Sequence, residues 1–303
     1  MTFDVDRWSR RHLGAPVAEV VFSGGHLSRV YGVRLADARA VVVKARAHSP
    51  RLDACTAVQR ALWQAGFPAP EPLAGPVVED GVAVTVEVLV PGGATAPSTD
   101  PARRFATLLA RFVALAPPPS TLGTLTPAPP WTAWDHDVPG IWPAADDRDD
   151  DLNAAPPTPW LDELGTHVRE RLTRFAQTPA GRRLVTGHGD WEAQNLRWTG
   201  DDPLAVHDWD SVITAPEAVV VGLAAAVWPC GLVPRAATVD ETAQFLDEYQ
   251  RASGRTWPPD ELGASWAAGL WVSAYNTKKA TLDGLPWLSQ HEAAQRLALS
   301  GSG

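Results

Sequence analysis

The segment GHGDWEAQN, residues 187–195, places a histidine, two carboxylates and an asparagine directly after the apolar run LVT. From Asn195 the chain continues as NLRW, TGDDP and LAVHDWD, two short apolar runs separated by turn-forming residues. This pattern predicts a β-hairpin with its tip near Asp201. Asn195 and Asp208 are almost symmetric about that tip, so the hairpin would bring them side by side at its open end. An amide oxygen beside a carboxylate suits Mg²⁺, which binds a few protein oxygens together with phosphate and water.

Asp190 lies on the loop that enters the same end of the hairpin, five residues before Asn195. It could therefore reach a substrate hydroxyl held near a metal. Phosphoryl transfer needs such a carboxylate, metal ions on the nucleotide phosphates, and a further cation on those phosphates. The cation candidate is Lys44, which ends the apolar strand VVVK and is one of only three lysines in the chain. The turn SGGHLS, residues 23–28, could cover the phosphates, because glycines let backbone N–H groups approach a phosphate closely.

HGDWEAQN followed by DWD resembles the HGDxxxxN and Asp-Trp signature of the aminoglycoside phosphotransferase family, small-molecule kinases that share the protein-kinase fold. The order of features is also similar: glycine turn, strand lysine, helix, AGFPAPEPL connector, EVLVPG segment, catalytic loop and metal strand. The resemblance covers most of the chain and is weakest over residues 116–160 and the last 60 residues. It implies an ATP- or GTP-dependent, Mg²⁺-dependent enzyme that phosphorylates a hydroxyl of a small molecule.

The resemblance also implies roles for individual residues. Asp190 would be the catalytic base, and His188 would brace the catalytic loop rather than react. Asn195 and Asp208 would bind Mg²⁺, and Lys44 would contact the α and β phosphates. The adenine would meet the backbone of Glu87, Val88 and Leu89. The triphosphate would lie beneath the turn formed by Ser23, Gly24, Gly25, His26 and Ser28.

Two supporting positions depart from the family pattern. The family usually places a glutamate on the helix after the lysine strand, ion-paired to that lysine, whereas the nearest positions here are Asp53 and Cys55. The partner of Lys44 is therefore open: Asp53, Cys55 or neither. Family members also tend to carry Asp-Leu-Ala after the metal strand, where this chain has Gly222 followed by Leu and Ala. Both departures concern rate and nucleotide affinity more than reaction class, and they motivate one alternative, a pseudokinase that only binds nucleotide.

The elements that must position these residues fall into two groups. Residues 1–92 are predicted to form a nucleotide-binding lobe with a short helix over 6–13, a helix capped by Ser49 and ended by Gly66, and a hairpin turning at Asp80-Gly81. Its strands are predicted over 17–22, 30–35 and 40–45. Residues 93–303 form the catalytic and substrate-binding lobe, with helices predicted over 103–115, 161–177, 238–252, 260–279 and 288–299. We therefore expect an α+β, two-lobed protein-kinase-like fold with a small, mostly antiparallel N-terminal lobe and a larger, mainly helical C-terminal lobe.

Residues 116–160 form a Pro-, Trp- and Asp-rich insertion that is predicted to hold short helices. Its acidic run DDRDDD, residues 146–151, is typical of a solvated loop. In the family, however, the insertion walls the acceptor site, so the alternative is that these carboxylates bind an amine-bearing acceptor. Most of the 14 tryptophans are expected in the core. The candidates for lining an acceptor pocket are Trp131, Trp134, Trp266 and Trp271.

The net charge of −9 argues against a nucleic-acid partner and would steer in a cationic small molecule. No apolar run reaches the roughly 20 residues that span a bilayer, and the N-terminus has no secretory pattern, so we expect a cytoplasmic protein, monomer or homodimer, without a membrane partner. Cys55 and Cys230 are expected to be reduced and buried.

A cationic antibiotic such as an aminoglycoside is the favoured acceptor, in resistance or self-protection. Macrolides, homoserine, choline and sugars are the alternatives, because fold-level analogy does not identify a substrate.

Overall fold

The computed structural model describes residues 3–25, 27–147, 150–154, 158–283 and 287–301. The N-terminal part contains an antiparallel sheet with a helix at its start and a second helix between the third and fourth strands. In chain order its elements are α1 (Val5–His12), β1 (Val17–Gly24), β2 (Arg29–Leu35), β3 (Ala40–Ala47), α2 (Leu52–Gln64), β4 (Pro72–Glu79) and β5 (Val82–Val88). The predicted strands and both helices of this part are therefore confirmed.

The sheet has the strand order β1-β2-β3-β5-β4, and every pair of neighbours is antiparallel. Alternate residues of β3 face opposite sides. Val41 and Val43 are fully buried in a small core that also contains Trp8 of α1, and Lys44 points to the other side, into a cleft lined by α2. The hairpin between β4 and β5 turns at Asp80-Gly81 as predicted, with positive φ angles of 49° and 77° that suit a type I′ turn.

Helix α2 begins later than predicted. Ser49 is not its N-cap: the first helical residue is Leu52, and Arg51 occupies the cap position without a side-chain cap hydrogen bond. A turn over Pro50 and Arg51 precedes the helix, with the Leu52 N–H donating to the Ser49 carbonyl at 3.2 Å, so Ser49 lies outside the helix. The predicted end is correct, because Gly66 has a φ of 76° and lies just after the last helical residues.

The C-terminal part is mainly helical and carries two small antiparallel strand pairs, β6 with β9 and β7 with β8. Its helices are α3 (Pro101–Leu115), α4 (Pro159–Ala176), α5 (Glu217–Val227), α6 (Val239–Ser253), α7 (Pro259–Ala280) and α8 (Gln290–Leu299), and its strands are β6 (Leu184–His188), β7 (Leu196–Thr199), β8 (Asp202–Val206) and β9 (Val212–Pro216). The five predicted helices are confirmed. Helix α5 has no counterpart in the sequence predictions, because its sequence EAVVVGLAAAV is apolar on every side and shows no helical periodicity.

Helices α5 and α7 cross in close contact at the centre of the C-terminal part. A Cβ atom on Gly222 would lie 2.0 Å from the carbonyl oxygen of Ser265, and one on Gly269 would lie 2.9 Å from the Gly222 carbonyl. Gly222 therefore permits the two backbones to approach, and the family's aspartate would not fit at this position. The departure noted in the sequence has a packing cause.

The insertion follows α3 and contains two 3-10 turns among its described residues, Pro119–Thr121 and Pro130–Thr132. It is anchored to the helices by Trp142, which is buried, stacks on Trp271 of α7 at 5.4 Å and donates from Nε1 to Asp162 at 2.7 Å. Within the acidic run, Arg148 and Asp149 lie outside the described residues, as does His26 of the glycine turn.

Cys55 and Cys230 are both buried and unbridged, as expected. Among the residues that the structure describes, no helix has the length and apolar character needed to cross a membrane.

Candidate active site

The loop after β6 brings Asp190 and Asn195 together. The Asn195 side-chain amide donates through Nδ2 to Asp190 Oδ2 at 2.8 Å and to the Asp190 carbonyl at 3.0 Å. Gly189 fixes the start of the loop, because its N–H donates to the Ser211 carbonyl at 2.7 Å. The amide orientation places the Asn195 oxygen, Oδ1, on the side away from these donated bonds. It is therefore the atom of this side chain that can bind a cation.

The hairpin brings Asp208 to the same end. β7 pairs with β8 from Leu196 opposite Val206, and the His207 N–H donates to the Asn195 carbonyl at 2.8 Å, so Asn195 and Asp208 flank the open end as predicted. Asp208 adopts a left-handed backbone with a φ of 63°, and its Oδ2 accepts a hydrogen bond from Ser211 Oγ at 2.8 Å. These contacts fix the direction of the Asp208 carboxylate.

The charge balance at this end fits a divalent cation. Burial is the main cause that raises the pKa of Asp190, the Asp208 and Asp146 carboxylates act in the same direction, and the Asn195 hydrogen bond opposes them, so that the pKa is about 7. Two carboxylates that disfavour each other's ionisation would gain from a bound cation. Carboxylate and amide oxygens are also the ligand types that Mg²⁺ prefers. Asn195 and Asp208 therefore form a suitable pair of protein ligands.

His188 lies beneath the loop and holds it. Its Nε2 contacts the His207 carbonyl at 3.0 Å, and its Nδ1 accepts a hydrogen bond from the Asp190 N–H at 3.2 Å. The ring is fully buried and packs edge-on against Phe112, Trp191 and Trp209. Burial lowers the pKa of this imidazole, so the neutral form, with one donor and one acceptor nitrogen, matches both contacts. This geometry agrees with the bracing role.

Lys44 has neither of the two candidate partners. Asp53 is exposed and Cys55 is a buried thiol, and the Lys44 ammonium instead lies 3.4 Å from Glu87 Oε1 on β5. Glu87 Oε2 accepts a hydrogen bond from Gln59 Nε2 of α2 at 2.8 Å. The lysine is therefore paired within the sheet, and α2 contributes an amide.

The backbone of Glu87, Val88 and Leu89 fits the predicted nucleobase contact only in part. The Val88 N–H donates to the Glu71 carbonyl at 2.9 Å, and the Leu89 N–H donates to the Ala40 carbonyl at 3.0 Å. These two donors are already engaged within the protein, and the Glu87 side chain faces Lys44. A nucleobase contact through the N–H groups of Val88 or Leu89 would therefore have to replace one of these hydrogen bonds.

The glycine turn begins beside Lys44. Val30 of β2 is paired with Gly24 on one side and with Lys44 on the other, so the three residues lie abreast across the sheet. Gly25 has a φ of 103°, and a Cβ there would lie 2.0 Å from the Ser28 carbonyl, so this position requires glycine. Ser23 and Gly24 are the last residues of β1.

Residues 19–262 match the sequence profile of the phosphotransferase enzyme family. The chain belongs to this family. The assignment confirms the family resemblance expected from the sequence and supports a phosphotransferase. No curated protein sequence matches the chain.

Solved structures similar to this phosphotransferase share its fold over nearly the whole chain. They include amicoumacin kinase hAmiN in complex with AMP-PNP and Ca²⁺, with a TM-score of 0.64 at 11% identity over 99% of this chain and 92% of that chain. Aminoglycoside phosphotransferase APH(4)-Ia has a TM-score of 0.59 at 16% identity over 99% and 98%. Spectinomycin phosphotransferase APH(9)-Ia in complex with ADP and spectinomycin has a TM-score of 0.58 at 13% identity over 98% and 92%. The protein-kinase-like fold expected from the sequence is confirmed.

Two charged residues near the site, Arg46 and Asp210, have no assigned role in the sequence predictions. Arg46 forms an ion pair with Asp210, two residues after Asp208, and both side chains line the same cleft as Lys44 and Glu87. Strand alternation could have identified Arg46, because it follows Lys44 by two residues and so faces the same side of β3. The role of Glu87 as a side-chain partner has no local signal, since it depends on the pairing of β5 with β3.

A cavity of about 990 Å³ lies between the insertion and the β6–β9 pair. Its wall adjoins the catalytic loop, because Thr132 and Ile213 line it and also pack on Gly189, the residue before Asp190. Trp131 Nε1 donates to the Gly189 carbonyl at 2.9 Å. The insertion therefore supports the loop directly.

The other tryptophan candidates are divided between the cavity wall and the core, and the described acidic candidates lie outside both. Trp134 lines the cavity, whereas Trp266 and Trp271 are buried within α7. In the acidic run, Asp146 is exposed and contributes to the raised pKa of Asp190, and Asp147 pairs with Lys279 at 2.6 Å.

Proposed function

We propose that this protein transfers the γ-phosphoryl group of ATP to a hydroxyl group of a small molecule in an Mg²⁺-dependent reaction. The observation that carries the proposal is the contact between Asp190 and Asn195 at 2.8 Å, at the hairpin end that Asp208 also occupies. Lys44 supplies a cation in the cleft that Asp210, two residues after Asp208, also lines. These are the parts that phosphoryl transfer needs, and their catalytic effect comes from positioning and charge neutralisation.

Asp190 accepts the proton of the attacking hydroxyl. Its carboxylate is held in one direction by the Asn195 amide, and its backbone N–H is held by His188. Asn195 Oδ1 and the Asp208 carboxylate would hold Mg²⁺, which would neutralise charge on the nucleotide phosphates. Lys44 would contact the α and β phosphates, with Ser23, Gly24, Gly25 and Ser28 beside them. The complexes of similar kinases with AMP-PNP and Ca²⁺ or with ADP support nucleotide and divalent-metal use.

The acceptor we favour is a hydroxylated molecule that carries an amine, such as a cationic antibiotic. The reason is the excess of carboxylates around the proton acceptor: Asp146 of the insertion is close enough to raise the pKa of Asp190. A protonated amine near Asp146 would be attracted and would lower that electrostatic cost. The similar structure that contains spectinomycin supports this class. The corresponding biological role is antibiotic resistance or self-protection in the cytoplasm.

An ADP-release assay over a panel of acceptors tests the proposal. The panel contains aminoglycosides, macrolides, amino alcohols and sugars, and the product is identified by mass spectrometry. Asp190→Asn should lower turnover by roughly 10²- to 10⁴-fold, the usual contribution of a general base, while Mg·ATP binding measured by calorimetry is retained. The matched control is Asp202→Asn, which changes an exposed aspartate of the same hairpin and should leave turnover unchanged.

The possible outcomes separate the candidate functions. Wild-type turnover in Asp190→Asn would overturn the catalytic assignment. ADP release with macrolides, amino alcohols or sugars alone would keep the phosphotransferase and replace the favoured acceptor. Thermal stabilisation by Mg·ATP with no ADP release over the whole panel would favour a nucleotide-binding module without catalysis.

A further inference from the structure

The carboxylate that faces Lys44 comes from the sheet, and the residue that α2 contributes is an amide. Glu87 is on β5 next to β3, and its Oε1 lies 3.4 Å from the Lys44 ammonium. Gln59 is on α2, and its Nε2 donates to Glu87 Oε2 at 2.8 Å. Within the family pattern stated above, the helix supplies the carboxylate. Here a strand supplies the carboxylate, and the helix supplies an amide.

The cluster is buried, so its hydrogen bonds determine whether the charges can be accommodated. The side chains of Lys44 and Glu87 are 12% and 7% exposed, and Gln59 is 5% exposed. A buried charge pair is stable only when the remaining donors and acceptors are satisfied. Gln59 meets this condition, because its Nε2 donates both to Glu87 and to the Pro70 carbonyl at 3.0 Å. Its amide is therefore fixed in the orientation that the carboxylate requires.

The cluster also connects Lys44 to the segment that carries the proposed metal ligand. The Cys55 thiol of α2 lies 3.9 Å from the Asp210 carbonyl, and Arg51 at the start of α2 donates to the Val212 carbonyl. Gln59 is one helical turn after Cys55 on the same buried face. Gln59 therefore makes the position of Lys44 depend on α2, and α2 also contacts β9, the strand after Asp208.

We propose that Glu87 is the positioning residue for Lys44, and that Gln59 links this ion pair to α2, so that a sheet carboxylate and a helix amide together do what a helix carboxylate does elsewhere in the family. This inference rests on the proposed role of Lys44 as the phosphate-binding cation. It adds Gln59 to the site and gives the Glu87 side chain a role, and neither side chain contacts the reacting atoms.

Exchanging the two groups gives a direct test. Glu87→Gln removes the carboxylate that holds Lys44 in place and should weaken Mg·ATP binding by roughly tenfold or more, the scale on which loss of an orienting partner acts. Gln59→Glu places a second carboxylate beside the first and should also weaken binding. The double variant Gln59→Glu with Glu87→Gln keeps one carboxylate and one amide and should recover most of the affinity. The control is Glu19→Gln, an exposed glutamate of the same sheet with 61% side-chain exposure.

A second readout requires neither nucleotide nor turnover. The chain has only three lysines, so protein labelled with ¹³C at the lysine ε-carbon gives few signals, and Lys44→Arg identifies the one from Lys44. That signal should move in Glu87→Gln and return towards its wild-type position in the double variant. Glu19→Gln should leave it in place.

The outcomes distinguish the inference from the function on which it rests. An unchanged Lys44 signal and unchanged Mg·ATP affinity in Glu87→Gln would overturn the proposal, as would a double variant no better than either single one. If the wild type binds no nucleotide, the proposed function fails, and the lysine signal alone decides the pairing. If Glu87→Gln does not fold, the double variant decides: near wild-type affinity supports the exchange, and loss of affinity contradicts it.

Discussion

Arg46 of the third strand forms an ion pair with Asp210, in the turn that follows the proposed metal ligand Asp208. The two side chains are 12% and 26% exposed. The turn itself is rigid, because Trp209 is buried and Ser211 bonds back to the Asp208 carboxylate at 2.8 Å. Burial lowers the pKa of the Arg46 guanidinium, and the negative charge of Asp208 is the largest influence that raises it. Arg46 therefore connects the lysine strand electrostatically to both carboxylates of the DWD sequence.

Breaking the Arg46–Asp210 pair should weaken Mg·ATP binding, because the Asp208 carboxylate would lose part of its support. We expect Arg46→Gln and Asp210→Asn each to reduce affinity, with a coupling energy of about 1–2 kcal/mol in a double-mutant cycle measured by calorimetry. The matched control is the Arg34–Glu19 pair of the same sheet, whose side chains are 55% and 61% exposed. The same cycle there should give a value near zero. Additive effects of the Arg46 and Asp210 changes would contradict the linkage.

Removing the proposed metal ligand Asp208 should weaken the binding of Mg·ATP itself. Asp208→Ala should weaken Mg·ATP binding at least roughly tenfold, because loss of even an outer-shell partner of a metal ligand costs about 10- to 100-fold. Nucleotide binding without Mg²⁺ should change much less. Calorimetric titrations with and without Mg²⁺ measure the difference, and Asp202→Asn on the same hairpin serves as the control. Equal Mg²⁺ dependence in Asp208→Ala and wild type would remove Asp208 from the metal site.

The Glu87 carboxylate should make stability depend on pH in the acid range. Burial alone raises its pKa, but the charge of Lys44 and the contacts with His207 and Gln59 outweigh burial and lower the pKa from its ordinary value of 4.5 to about 2. A depressed pKa in the folded state contributes stability that is complete above about 4.5 and is lost as pH falls through about 2. The full shift corresponds to on the order of 3 kcal/mol.

Glu87→Gln lacks this titration. The free energy of unfolding of the wild type should therefore fall more steeply than that of the variant as pH decreases from about 4.5 to 2, so that the two curves converge. Urea unfolding at a series of pH values measures both curves, and Glu19→Gln should follow the wild type. Parallel curves for Glu87→Gln and wild type would show that the carboxylate is not stabilised by Lys44.

The β7–β8 hairpin could be predicted from the sequence because its geometry is local. Asn195 and Asp208 are almost symmetric about one turn, and strand pairing then brings them to the same end of the hairpin. The same holds for the hairpin at Asp80-Gly81, where the turn residues themselves specify the backbone. Patterns of this kind need no knowledge of distant parts of the chain.

The support of Lys44 could not be predicted in the same way. Asp53 and Cys55 are near Lys44 in sequence, but Glu87 reaches it only because β5 pairs with β3, with Val42 opposite Glu87. Helix α5 was also missed, since a helix buried on all sides has no polar face to reveal its period. In both cases the missing information is tertiary: that β5 is the neighbour of β3, and that α5 is buried on all sides.

Substitutions at Gly222 test whether the packing of α5 on α7 explains why glycine replaces the family's aspartate at this position. Because a Cβ at this position would lie 2.0 Å from the Ser265 carbonyl, Gly222→Ala should force α5 and α7 apart and destabilise the fold by about 3 kcal/mol, the upper part of the range for overpacked cores. Gly222→Asp, the family's residue, should cost more, because it also buries a carboxylate. Urea midpoints measure both changes. Gly123→Ala is the control, since its Cβ would meet only Ala54 at 3.9 Å, an ordinary contact. A Gly222→Asp variant as stable as the wild type would show that the helix crossing does not require glycine, and that the aspartate is absent for another reason.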